Sequence, residues 1–176
     1  AREGADAKPI PKTLVFVVDT SGSMQGAKIA QAKGALRFFL GSLAPEDAFN
    51  LIPFSSEARP LFASPRALTE ETRKEALDAI ERIEAAGGTN IHDALAQAMN
   101  LAQDDRLPIV LFLTDGQPTV GETDAARILS RIKDANTRKA RLFVLGVGND
   151  VNAFLLDRLA EEGKGDRHYV REDEDL

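Results

Sequence analysis

Three short, unbroken apolar runs constrain this chain more than any other feature. They are Leu14-Val15-Phe16-Val17-Val18, Ile109-Val110-Leu111-Phe112-Leu113 and Leu142-Phe143-Val144-Leu145. A run of this kind, bounded by turn residues, reads as a strand buried on both faces. Such strands belong in sheets that carry helices above and below. The intervening sequence supplies those helices. Ile29, Ala32, Leu36, Phe39 and Leu43 recur every three or four residues, as do Ile91, Leu95, Ala98 and Ala102, and then Ala125, Ile128, Leu129 and Ile132. Residues 72–85, with Ala76, Ile80 and Ile83, predict another helix, and residues 152–162, with Leu155 and Leu159, one more. Alternating strand and helix is the pattern of an α/β fold with a mostly parallel sheet. The 176 residues fit one domain, which is large enough to fold on its core without staples. Cys is absent, which removes disulfide scaffolds, Cys-ligated zinc, iron–sulfur clusters and thiol nucleophiles.

Residues 48–62 break the pattern. Phe49 and Leu51 alternate with polar neighbours, and a second short strand is expected over Arg59–Phe62. The connection is too short for a helical crossover, so the pair should run antiparallel at the sheet edge, where Pro60 and Pro65 are tolerated. Gly87-Gly88 is read as the end of the preceding helix. Residues 1–12, polar and carrying two prolines, read as a linker or flexible arm. The acidic run Glu172 to Asp175 reads as a solvated tail or a helix start.

In an open α/β sheet, ligands bind beyond the carboxyl ends of the parallel strands. The first strand runs into Asp19-Thr20-Ser21-Gly22-Ser23, the strand at 109–113 into Thr114-Asp115-Gly116, and Gly87-Gly88-Thr89-Asn90 precedes the helix at 91. Each segment has an ordinary reading. Asp and Ser are favoured helix caps, and Asp-Gly and Gly-Gly-Thr-Asn are common turn and loop sequences. Their coincidence at one end of the sheet is what carries weight, because every side chain involved is an oxygen donor. Oxygen-only ligation suits a hard divalent cation, and alternate residues in Asp19-x-Ser21-x-Ser23 can point at one centre. The net charge of −6 and the scattered basic residues argue against nucleic acid; only Arg138, Lys139 and Arg141 cluster. No apolar run approaches the roughly 20 residues of a membrane span, so no membrane insertion by this segment is expected.

These motifs resemble the metal-ion-dependent adhesion site (MIDAS) of von Willebrand factor type A domains. The resemblance runs from residue 13 to 172 with the motifs in order. Stretches such as FVVDTSGSM, EDAFNLIPFSS, LTDGQPTVGET and LGVGNDVN look most like the domain of the inter-α-trypsin inhibitor heavy chains and their bacterial relatives. The resemblance implies a doubly wound, Rossmann-like six-stranded sheet of order 3-2-1-4-5-6, with helices on both faces and one antiparallel edge strand. It implies that Ser21, Ser23 and Thr89 bind Mg²⁺ directly, with Mn²⁺ or Ca²⁺ as substitutes, and that Asp19 and Asp115 support it through water. It implies adhesion or complex assembly rather than catalysis. It also implies a protein partner offering an Asp or Glu carboxylate, and a domain, residues 13–176, within a larger multidomain protein that is extracellular, periplasmic or at the cell surface. Family members usually close with a long C-terminal helix, and the chain stops where that helix would start.

Other residues take plainer roles. His92 and His168 read as surface or supporting residues, because the five-oxygen set is already complete. Asp93 and Glu122 fit helix starts. Met24 should pack beneath the first loop, and Phe16, Phe38, Phe39, Phe112 and Phe143 should be core, whereas Phe54 fits either role. Two other functions compete with the docking module. One is a cytoplasmic scaffold subunit of an ATP-driven or chelatase-type complex. The other is a Mg²⁺-dependent phosphoryl-transfer enzyme with an Asp nucleophile. That chemistry needs more anionic ligands and usually a Lys, and only Lys28 stands near these loops.

Overall fold

The computed structural model describes residues 9–174. Of the expected N-terminal arm, residues 1–8 lie outside that range, Pro9 to Pro11 are exposed, and Lys12 already opens the first strand. The elements in order are β1 (Lys12–Asp19), a single 3₁₀ turn (Gly22–Met24), α1 (Ala27–Gly41), β2 (Ala48–Phe54), β3 (Arg66–Ala67), α2 (Glu70–Glu81), α3 (Ile91–Leu101), β4 (Leu107–Thr114), α4 (Ala125–Ala135), β5 (Arg141–Val147), α5 (Ala153–Glu162) and β6 (Arg167–Val170). The six strands form one sheet of order β3-β2-β1-β4-β5-β6. Every neighbouring pair is parallel except β2 with β3.

The two sides of β1 feed different cores. Val15 and Val17 pack with Ile91, Leu95, Phe112, Ile128 and Leu156 on the face covered by α3, α4 and α5. Phe16 and Val18 pack with Leu36, Leu40, Phe49, Ala76 and Ile80 on the face covered by α1 and α2. Period-2 alternation along the strand therefore sorts side chains between two helical layers. Each fully buried large aliphatic or Phe side chain contributes about 1.5–3 kcal/mol relative to exposure. The helix starts use local chemistry. Thr69 and Thr72 form a reciprocal capping box on α2, and the Asn90, Asp124 and Asn152 side chains accept from the first turns of α3, α4 and α5.

Four expectations change. The antiparallel edge strand is Arg66–Ala67, paired with Phe49 and Ala48, rather than Arg59–Phe62. Residues 59–62 do follow β2 in the antiparallel sense, through Arg59 N–H to the Pro53 carbonyl (3.2 Å) and Leu61 N–H to the Leu51 carbonyl (2.7 Å). A regular ladder fails there because Pro53 on β2 has no N–H to return to Arg59, and the Leu51 N–H is taken by the Asn50 side chain. The Asn50 side chain fills in, donating to the Phe62 carbonyl and accepting from its N–H. Secondly, α2 ends at Glu81, so Gly87-Gly88 does not terminate it. Thirdly, Phe38 is 70% exposed, edge-on to Phe39 on the outer side of α1. Fourthly, residues 171–174 are exposed but form a turn held on α1, where Gln31 Nε2 donates to the carbonyls of Arg171 (2.8 Å) and Glu174 (2.6 Å).

Candidate metal centre

Asp19 is the last residue of β1, and its side chain turns into the sheet end with no exposure. Two donors hold it. The Ser21 N–H gives to Oδ1 at 2.9 Å, and the Thr114 hydroxyl at the end of β4 gives to Oδ2 at 2.6 Å. The first contact is a local Asx turn that bends the chain out of the strand. The second joins two adjacent parallel strands at their carboxyl ends. The Thr114 hydroxyl also accepts from the Gly116 N–H (2.9 Å), which fixes the turn that presents Asp115. The Ser21 and Ser23 hydroxyls lie 3.0 Å apart. Ser21 is buried and Ser23 exposed, so the cluster opens to solvent along the 3₁₀ turn.

The third loop is bound to the first by backbone. The Gly22 N–H donates to the Gly87 carbonyl at 2.9 Å, and the Ala86 N–H to the Thr20 carbonyl at 2.8 Å. This explains the glycine pair. Gly87 has φ +84, and a Cβ at Gly88 would lie 2.4 Å from Val120 Cγ2, so only the absence of a side chain lets the loops close. Thr89, 2% exposed, is gripped from the other side: its N–H donates to the Thr119 hydroxyl, and its carbonyl accepts from Thr119 and Val120.

The electrostatics are lopsided. Burial pushes the Asp19 carboxyl up to about 6; hydrogen bonds from Ser21 and Thr114 pull it back, and the nearby Asp115 charge adds to the rise. Asp115, 2% exposed, has one cation nearby, with Lys28 Nζ at 3.7 Å from Oδ2. Among the described residues, no three His, Cys, Asp or Glu side chains gather tightly enough to hold a metal on their own. The cluster instead mixes two carboxylates with neutral hydroxyls, all of them hard oxygen donors.

A family model for the von Willebrand factor type A domain matches residues 12–169. The chain belongs to that family. Human inter-alpha-trypsin inhibitor heavy chain H4 is 41% identical to this type A domain over 175 residues, 94% of the chain. The match covers 19% of that protein, so the chain spans about a fifth of the curated relative's length. Among solved structures, a von Willebrand factor type A protein from Catenulispora acidiphila superposes with a TM-score of 0.83 at 24% identity, covering 92% of this chain and 39% of that one. Proximal thread matrix protein 1 from the mussel byssus, with a zinc-occupied MIDAS motif, superposes at 0.72 with 19% identity, covering 93% and 42%. These two structures share the fold.

In this type A domain Asp19, Ser21, Thr89 and Asp115 are buried and Ser23 stands at the rim, at strand ends and loops on the carboxyl side of the sheet. His92 lies half-buried on α3, and His168 is exposed on β6. Glu122 pairs with Arg131 (3.4 Å), and Asp93 accepts from Gln97 (3.2 Å). Met24 is fully buried beneath the first loop, and Phe54 is core. Lys28, the one basic residue that the sequence places near these loops, stands beside Asp115, and two partners without a motif of their own complete the site: Thr114 as the donor to Asp19 and Thr119 as the anchor of Thr89. Thr114 was legible in principle as the residue before Asp115. Thr119 carried no local signal, because its partner lies 30 positions away.

Proposed function

We propose that residues 13–176 form a divalent-metal-dependent protein-binding module. Ser21, Ser23 and Thr89 would hold Mg²⁺ directly, with Asp19 and Asp115 supporting it through water; Mn²⁺ and Ca²⁺ are the substitutes to test. The observation that carries the reading is Asp19, a buried carboxylate with two hydrogen bonds and no cation partner among the described residues, raised to about 6. Such a group stays costly until an outside positive charge arrives. When bound, the metal supplies a Lewis-acidic centre that accepts a carboxylate from a partner Asp or Glu. This chain's part is to fix the hydroxyls, hold the two carboxylates buried within reach of the ion's water shell and leave the Ser23 side open. A zinc-bearing MIDAS in a byssus thread protein of the same fold supports a divalent ion and an extracytoplasmic setting. The short coverage of heavy chain H4 supports a domain within a longer protein.

The test is Mg²⁺ titration by calorimetry. The wild-type domain should give saturable binding, Asp19→Ala should abolish it while remaining folded, and Thr89→Ala should weaken it, since water can replace one neutral ligand. Unchanged binding in Asp19→Ala would refute the site. Lys28 beside Asp115 also meets one requirement of the phosphoryl-transfer reading, so turnover of an aryl phosphate with Mg²⁺ is the control. Appreciable turnover lost in Asp19→Ala would replace docking with catalysis.

A further inference from the structure

Lys28 is the second residue of α1, a position where the unpaired N–H groups of the helix start repel a cation. The fold nevertheless holds it there. Its ammonium lies 3.7 Å from Asp115 Oδ2 and 3.9 Å from Glu172 Oε1, and its side chain is only 14% exposed. Its stem crosses Gly148, where φ is +105 and a Cβ would fall 2.4 Å from Lys28 Cε. A glycine at the end of β5 thus leaves the slot through which the lysine reaches the sheet end. Three separate elements cooperate to keep one cation against one buried carboxylate, at a helix position that disfavours it.

We infer that Lys28 is a positioning residue of the metal centre, a fixed internal cation that holds Asp115 and limits how tightly the site takes a divalent ion. The inference rests on the metal reading above. With Lys28 present, Asp19 and Asp115 leave the centre with one net negative charge, and a divalent ion brings it to plus one. Without Lys28 the ion would bring it to zero. The lysine therefore trades metal affinity for a residual positive charge that an anionic partner can neutralise. Glu172 shares Lys28 with Asp115, so the turn after β6 draws part of that charge away from the site.

Mg²⁺ alone is the probe, by calorimetry and by thermal unfolding in EDTA and in saturating Mg²⁺. Lys28→Met keeps the stem and removes the charge. It should bind Mg²⁺ about tenfold more tightly or better, as expected when one of two cations competing for a desolvated carboxylate is withdrawn. It should unfold at a lower temperature than wild type in EDTA, and the gap should close in saturating Mg²⁺. Lys28→Arg should restore wild-type affinity. Glu172→Gln, at an exposed position that leaves the fold undisturbed, should concentrate Lys28 on Asp115 and weaken Mg²⁺ about two- to threefold. Equal destabilisation of Lys28→Met in EDTA and Mg²⁺, with unchanged affinity, would make Lys28 a structural ion pair and overturn the inference. If Lys28→Met fails to fold, unchanged affinity in Glu172→Gln overturns it instead. A wild-type domain without saturable Mg²⁺ binding would bring down the metal reading itself, and this inference with it.

Discussion

The two ends of β1 carry the same carboxylate chemistry in opposite electrostatic states. At the amino end, Asp47 accepts from Lys12 Nζ (2.6 Å), the Lys12 N–H (3.0 Å) and the Ala44 N–H (2.8 Å). Beside it, Asp104 takes the Thr13 hydroxyl (2.6 Å), the Arg106 N–H and the Arg106 guanidinium. Burial raises both carboxyls, but these donors outweigh it and hold each below its ordinary value. At the carboxyl end, Asp19 receives two hydrogen bonds and no ion pair among the described residues, and burial wins. One strand thus runs from acids whose charge the protein neutralises itself to an acid it leaves short. The first arrangement stabilises the fold. The second leaves free energy for an external cation to recover, which is how a binding site differs from a structural ion pair.

The sharpest way to break this comparison is to remove one acid from each end. Asp47→Ala should destabilise the domain by about 3 kcal/mol, the low end for breaking a buried pair because Lys12 stays partly solvated. That corresponds to roughly 6–12 °C in a domain of this size. Asp19→Ala, measured without metal, should fall within a few degrees of wild type. Equal losses at both ends would show that Asp19 is as structural as Asp47.

Metal addition is the next largest effect. Saturation at about 100 times the dissociation constant contributes about 2.7 kcal/mol, a rise in melting temperature of roughly 5–10 °C. Asp115→Asn should blunt the rise, and Asp47→Ala should keep it on a lower baseline. An equal shift in Asp115→Asn and wild type would reduce the effect to general screening of an acidic surface.

The smallest effect is the pH profile, and its sign distinguishes the two ends. The Asp19 carboxyl is raised from 3.8 to about 6, so the folded state binds its proton more tightly than the unfolded state does. Metal-free stability should therefore rise as pH falls from 7 towards 5. Asp47 and Asp104 are lowered, so their stabilisation is present above the ordinary carboxylate value and lost as pH falls through their folded values. The curve should turn over near pH 4. Asp19→Ala should flatten the rise, and excess Mg²⁺ should reverse it, because protons then compete with the ion. Urea midpoints across pH 3–8 read all three curves, and a monotonic fall from pH 7 in the metal-free wild type would contradict the raised carboxyl.

Much of this protein was local enough to be read along the chain. The apolar runs at 14–18, 109–113 and 142–145 lie within three strands of the sheet, and the helical periods at 29–43, 91–102 and 125–132 match α1, α3 and α4. Asp19, Ser21, Thr89 and Asp115 could be named because strand ends and the loops after them are marked by composition. Strand β6 could not: Arg167-His168-Tyr169-Val170 has no apolar run, since this edge strand buries Val170 on one face and only partly packs Tyr169 on the other. The true edge pairing at Arg66–Ala67 was equally hidden, because Pro53 and the Asn50 side chain redistribute hydrogen bonds between segments 12 residues apart. What tertiary structure alone decided is the charge state of the site. Thr114 reaches Asp19 across 95 positions, Gly87 meets Gly22 across the loops, and Lys28 comes to Asp115 through the space left by Gly148. Hydrophobic period and capping act within a few residues and so are written in order along the chain. Desolvation and Coulomb interaction depend on distance in space, and that distance exists only once the sheet has closed.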